Sequence, residues 1–494
     1  MTSAAYDPQL YNADLAPVTP ERRTWGWWHI TCLWIGMAIC IPTYTLASSL
    51  VDGGWTWQAA VGSVVLGNLI VLVPILLNSH AGTRYGIPFP VLARSAFGVF
   101  GANIPAVLRA VVACGWFGIQ TWIGGFAIFK MLEAIAPSIA QMPNILPSFV
   151  GIGTAEFICF MLFWSLQVWI VMRGMESIRF LETWGSPFLL AIGIALLIWA
   201  WYRVGSWGLM LTNPPQTAAS RSAGFAGGIL GAGLTSAVGF WGTMALSIPD
   251  FSRFAKSQKD QIIGQALGLP GTMALFAFIG AVVTTATAVI FGHRISDPVE
   301  LLSHIGGPLM VVVSMIGLTV ATLTTNLAAN VVAPANDFSN ISPSRISFKK
   351  GAMITALIGI VMMPWRLYND AAAYIFAWLI GYGALLGPIA GIMIVDYFIL
   401  RKKQIAVDEL FRRGGRYEYW NGINWIAVTA FALGVLPSLP GFLGALGVSK
   451  PSPLFAELYN WSWFVGVAVA GIVHFIGMKA MAPAGNLAAA YAAE

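Results

Sequence analysis

The chain has 494 residues, 57% of them hydrophobic and only 9% charged, with a formal net charge of +6 and a mean hydropathy of +0.75. A soluble domain carries about 25% charged residues, so a water-covered globular fold is excluded, and the net charge is no nucleic-acid footprint because the basic residues sit between apolar runs. Runs of ~20 apolar residues, enough to cross a hydrocarbon layer, recur from one end to the other, which makes this an all-α polytopic membrane protein.

The first 25 residues are polar, contain Pro17 and Pro20, and lack the apolar stretch that follows the basic start of a cleaved leader, so they read as a cytoplasmic N-terminal segment. Twelve transmembrane helices are expected after them, at 26–51, 57–79, 102–134, 155–174, 184–203, 224–249, 267–292, 307–334, 351–366, 371–400, 424–446 and 460–480. Residues 401–423 form a basic cytoplasmic linker that sets off the last two spans (424–480), and 481–494 are a cytoplasmic tail. With both termini in the cytoplasm, 19 Lys and Arg residues fall on the inner side against 5 outside (Arg203, Arg221, Arg294, Arg366 and Lys450). That bias sets the orientation in the plasma or inner membrane.

Span 1 contains "CIPTY". Pro42 removes a backbone donor and crowds the preceding turn, so a break is expected near Cys40 and Ile41. Span 6 reads "AVGFWGTMALS", with Gly239 and Gly242 flanking Phe240 and Trp241, and is the second candidate for interruption. Pro42 and Trp241 lie 199 residues apart, while the polar patches of spans 3 (Gln120) and 8 (Thr325) lie 205 apart. A repeat of five spans inverts its second copy. The pattern therefore predicts a 5+5 inverted-repeat core, 26–203 and 224–400, with broken helices 1 and 6 and two peripheral helices.

Span 8 carries "GLTVATLTTNLAANVV" at 317–332, a density of polar groups that is costly in hydrocarbon without partners. Ala321, Thr324 and Thr325 share one helical face. Two hydroxyls and a carbonyl there, with carbonyls freed at the break of span 1 from Gly36 and Ile39, make a set of hard, neutral oxygens suited to sodium. The alternative is that each threonine bonds back to its own helix. Asn326 and Asn330 lie on another face, where an amide either reads a heterocycle or joins helices. In span 3, Trp116 and Gln120 are four residues apart. With Trp241 they suggest a clamp of two indole planes and an amide around a flat, uncharged ring, against the plainer reading of packing or interfacial tryptophans such as Trp27 and Trp28.

Asp250 and Asp396 sit at cytoplasmic helix ends beside basic residues, where pairing explains them, and His474 stands alone in span 12. Spans 1, 3, 6 and 8 hold no carboxylate or histidine at mid-depth, which favours sodium over a proton relay. Cys32, Cys40, Cys114 and Cys159 lack metal-ligand spacing. Without clustered nucleophiles, bases or metal ligands an enzyme is not expected, and polar groups confined to one level do not line a channel.

The segments "IPTYTLASSLVDGG", "HAGTRYGIPFPVLARSAFG", "CGWFGIQTWIGG", "IPDFSRFAKSQKDQ", "TTNLAANVVAPAND" and "LGPIAGIMIVDYF" resemble the nucleobase:cation symporter-1 family over nearly the whole chain. The branch with plant plastid nucleobase carriers and bacterial allantoin permeases is the most similar. The resemblance implies cation-coupled uptake of a purine, pyrimidine, allantoin or hydantoin by alternating access. No cofactor apart from the co-transported cation, no nucleic acid and no obligatory protein partner is implied. It places the aromatic sandwich on Trp116 and Trp241, ring hydrogen bonds on Gln120 and Asn330, and a backbone contact at Phe240. The sodium ligands fall on Gly36, Ile39, Ala321, Thr324 and Thr325. Where relatives have an amide near the substrate in span 1, this chain has Cys40, as the plant branch also lacks an amide there. That departure tilts the expected cargo towards a nucleobase such as uracil or a purine.

Overall fold

The computed structural model describes residues 6–173, 175–212, 229–368 and 377–481. The expected starts of spans 6 and 10, at 224–228 and 371–376, lie outside the described residues, as do 1–5 and the tail beyond 481. Among the described residues the chain is helical with no strand. Eight helices are long and apolar enough to cross a bilayer, and a bent pair adds a ninth crossing. Spans 5, 6 and 9 are the helices Met175–Val204, the interrupted 229–247 and Phe348–Val361.

Several helices outrun the limits that apolarity suggests. Span 2 is Trp57–Tyr85, span 7 is Gln258–Phe291 and span 8 runs Pro308–Ile341. The reason is local: their polar ends find partners in the protein instead of lipid. Ser257 caps span 7 by accepting from the Asp260 N–H at 3.1 Å, and Asn78 on span 2 donates to the Ala245 carbonyl at 2.6 Å. A helix satisfied in this way need not stop where its hydropathy falls.

Both expected interruptions are present. Span 1 consists of Trp27–Ala38 and Ile41–Asp52, bent by 52°. Pro42 occupies the first turn of the second half, where its missing N–H costs nothing. At the break the Cys40 N–H turns to the Ala38 carbonyl and the Thr43 N–H to the Cys40 carbonyl. The carbonyls of Gly36 and Ile39 are thereby released from the helical ladder. Span 6 breaks at Trp241, which separates Leu234–Phe240 from Gly242–Ser247.

Packing follows the inverted repeat. Span 1 lies on span 7 as span 6 lies on span 2, spans 3 and 8 face each other, and span 4 meets span 3 as span 9 meets span 8. Close approach depends on glycine at two places: a Cβ at Gly280 would lie 2.5 Å from the Tyr44 carbonyl oxygen, and one at Gly239 2.7 Å from that of Leu379. Span 12 (Ser462–Met481) packs on span 10 (Ala377–Leu400) and span 11 (Trp425–Ala445) on both, outside the ten-helix core.

The polar N-terminal segment runs across the basic end of the bundle. Asp7 donates its N–H to the Phe411 carbonyl and Val18 to that of Gly86. Asn12 bonds Ser339 at 2.8 Å, Arg253 bonds the Asp14 carbonyl at 3.0 Å, and Leu10 and Leu15 are buried.

Candidate functional site

The two breaks and the polar patches of spans 3 and 8 meet around one cavity. Cys40, Trp116, Gln120, Phe240, Trp241 and Asn330, all six of the residues expected to surround a heterocycle, line it. Met37, Thr243, Met244, Thr325 and Ala329 complete the lining. The space within is about 20 Å³, room for about one water molecule. Phe240 accounts for the narrowness: its ring centroid lies 5.3 Å from that of Trp116 and 5.1 Å from that of Trp241, edge-on to both. A third ring thus touches both planes of the expected two-indole clamp.

Hydrogen bonding divides the wall. The Trp116 indole N–H donates to the Tyr382 hydroxyl at 3.3 Å. Gln120 Oε1 and Trp241 Nε1 are buried and have no hydrogen-bond partner among the described residues. An acceptor and a donor left in this state are costly unless a ligand supplies the complement. Cys40 Sγ contacts the Thr43 hydroxyl at 3.2 Å.

Among the five oxygens expected to hold sodium, hydrogen bonds join two pairs, Thr325 with Gly36 and Thr324 with Ala321. Thr325 donates to the Gly36 carbonyl at 2.9 Å, which ties span 8 directly to the broken turn of span 1. Thr324 donates to the Ala321 carbonyl at 2.7 Å and lies 3.3 Å from that of Val320, so its hydroxyl takes the back-bonded arrangement. The two asparagines part company: Asn330 faces the cavity, whereas Asn326 is fully buried against spans 3 and 4, bonded to the Phe117 carbonyl and to Gln167.

Tyr382 and Thr243 were missed in the sequence. The signal for Tyr382 was present, since a lone tyrosine hydroxyl inside the apolar run "LIGYGALLGP" must find a partner. Thr243, two residues beyond Trp241, carried no such mark.

The two ends of the bundle differ. Towards the basic end, Arg109 on span 3 meets Asp337 at 3.4 Å and Ser247 at 2.8 Å, all buried, while Asn336 bonds Asp250 at 2.9 Å. Asp250 is thus paired, as is Asp396, which meets Arg401 at 2.6 Å and His474 at 3.4 Å. At the opposite end a chamber of about 610 Å³ lies between spans 1 and 3 and the segment before span 8. Its floor includes a 2.6 Å hydrogen bond between Thr45 on span 1 and Tyr368 beyond span 9.

Comparison with known proteins supplies the family. Residues 17–466 match the family described as permeases for cytosine/purines, uracil, thiamine and allantoin. The chain belongs to that family. The permease is 47% identical over 477 residues to the purine-uracil permease of Arabidopsis thaliana, covering 96% of this chain and 78% of the relative. It is 39% identical to the allantoin permease of Bacillus subtilis, covering 96% and 94% of the two chains. Among solved structures, it resembles the nucleobase-cation-symport-1 family transporter Mhp1 in a closed conformation with bromovinylhydantoin bound, with a TM-score of 0.78 and 25% identity over 98% of this chain and 99% of the other. The permease is therefore a multi-pass membrane transporter rather than an enzyme.

Proposed function

We propose that the permease couples a sodium gradient to the uptake of a flat, uncharged nucleobase, uracil or a purine, by alternating access. The observation that carries the reading is the double role of Thr325. It lines the heterocycle cavity, and its hydroxyl holds the Gly36 carbonyl at 2.9 Å. A cation taken up by Gly36, Ile39, Ala321, Thr324 and Thr325 draws spans 1 and 8 together through the residue that borders the substrate. Each ligand then tightens the other by the same factor. The donor set is neutral oxygen throughout, which suits a hard monovalent ion, and no carboxylate or histidine lines the cavity to serve as a proton relay.

Trp116 and Trp241 supply planes for stacking, Gln120 and Asn330 read the ring edge, and Phe240 turns aside as the ring enters. The basic end faces the cytoplasm in this reading, so the 610 Å³ chamber opens outward and the Arg109–Asp337 layer closes the inner side. The similarity to an allantoin permease supports a ureide as the alternative cargo.

The test is uptake into proteoliposomes of labelled uracil, adenine, guanine, allantoin and hydantoin, with and without an inward sodium gradient. Saturable, concentrative uptake of a nucleobase that requires sodium is expected. Uptake that ignores sodium and follows a pH gradient rejects the cation site.

A further inference from the structure

Behind the cavity lies a buried chain of amides that joins spans 3, 4 and 8 and reaches the cavity only through Asn330. Asn326 Nδ2 lies 3.1 Å from the Phe117 carbonyl oxygen, 2.6 Å from Gln167 Oε1 and 3.3 Å from Thr121 Oγ1. Gln167 Nε2 donates to Thr121 Oγ1 at 3.0 Å, and Thr121 donates to the Phe117 carbonyl at 2.6 Å. At the other end of the chain, Asn330 Nδ2 donates to Asn326 Oδ1 at 2.9 Å. Asn326, Gln167 and Thr121 are all fully buried.

An amide can be built either way round, and only its partners decide which way is right. Here the decision starts from a group with no freedom. A backbone carbonyl accepts and never donates, so the nitrogen of Asn326 must face Phe117. Its oxygen is then turned towards Asn330, and Asn330 must answer with an N–H. The Asn330 carbonyl oxygen occupies the other branch of that amide, away from Asn326, on the residue that borders the cavity.

We infer that Asn326, backed by Gln167 and Thr121, is a positioning residue that holds Asn330 with its carbonyl oxygen towards the substrate, so that the site selects rings bearing a lactam- or ureide-type N–H on the edge facing span 8. This deepens the proposed function and rests on that reading of the cavity. A ring with an acceptor at the same place meets oxygen with oxygen. The relay prevents Asn330 from turning over, because doing so strands Asn326 Oδ1 and sets two amide oxygens against each other.

The test compares binding of uracil to the purified full chain with binding of its two isosteres in which a ring oxygen replaces one N–H or the other. The parent should reject one isostere by about 100-fold, since a site built around a hydrogen bond penalises the analogue that lacks it. Asn326→Leu removes the acceptor that holds Asn330, and the rejection should fall to about ten-fold or less while discrimination against the other isostere stays unchanged. Asn326→Asp in its neutral form donates its O–H to the Phe117 carbonyl and keeps an acceptor facing Asn330, so it should retain the parent ratio, a distinction that a merely structural role does not make. Gln167→Met, near-isosteric and remote from the cavity, should give an intermediate ratio and serves if Asn326→Leu fails to fold. Equal ratios in the parent, Asn326→Leu and Gln167→Met overturn the relay. If the parent protein binds no uracil, the nucleobase reading itself falls and takes this inference with it.

Discussion

The two polar clusters beside span 8 satisfy their hydrogen bonds in opposite ways. On the heterocycle side, Gln120 Oε1 and Trp241 Nε1 are buried without partners among the described residues. On the cation side the hydroxyls are already engaged, Thr325 with the Gly36 carbonyl at 2.9 Å and Thr324 with that of Ala321 at 2.7 Å. The first cluster is destabilising until a ligand arrives. The second is self-satisfied, and a cation entering it must turn two protons away from oxygens that become fellow ligands. Tight ring binding with moderate cation affinity is the expected result, so that the ring commits the cycle and the ion supplies its direction.

The largest effect that tests this contrast is loss of the ring contacts. Trp116→Ala or Gln120→Ala should reduce uptake of the preferred nucleobase by about 100-fold or more, as removal of a central anchor in a dry pocket does. Insertion and folding, followed by detergent-solubilised size profiles, should be retained. Full transport by either variant breaks the contrast.

Next in size, Thr324→Val combined with Thr325→Val should raise the half-saturating sodium concentration by about ten-fold, the worth of ~1.4 kcal/mol of lost ion binding. Because Thr325 also borders the cavity, nucleobase affinity at fixed sodium should fall as well. A change in one constant without the other would separate the two clusters.

A smaller shift is expected at the chamber end. Tyr368→Phe removes the 2.6 Å bond to Thr45 and leaves the ring in place. One such bond is worth about 0.5–1.5 kcal/mol, so opening towards the chamber should become a few-fold easier. The readout is the rate at which an impermeant thiol reagent reaches Cys40 in a chain whose Cys32, Cys114 and Cys159 are replaced. An unchanged rate would show that this bond does not gate the chamber.

The smallest effect belongs to Cys40 itself. Its sulfur meets the Thr43 hydroxyl at 3.2 Å and the Gln120 amide, both of which a serine hydroxyl can also bond, so Cys40→Ser should keep uptake within about two-fold. A larger loss, measured as uptake of the same nucleobase, would move Cys40 from the wall of the site to its chemistry.

How much of this was legible in the sequence depended on the range of the signal. The breaks are local: Pro42, Gly239 and Gly242 announce them, and the structure places them at Ile39–Cys40 and Trp241. Periodicity put Trp116 with Gln120 and separated the threonines from the asparagines. It could not say which asparagine faces the cavity, because that depends on the Phe117 carbonyl 209 residues away in the chain. Nor could spacing reveal that Phe240 bears on both indoles, since two adjacent side chains at a broken turn diverge in directions set by the break. Apolarity alone misjudged the lengths of spans 2, 7 and 8, whose polar ends are satisfied by neighbouring helices.

The crossing of the first polar segment over the basic end has a consequence for assembly. Asp7 seeks the carbonyl of Phe411 and Asn12 the hydroxyl of Ser339, groups synthesised hundreds of residues later. This polar segment, made before the helices, is thus among the last to settle, after ten of them have entered the lipid. Loop closure over so long an interval is slow. Half-made chains therefore carry this segment undocked, and its docking is a mark of completed biogenesis that a protease or a quality-control factor can read.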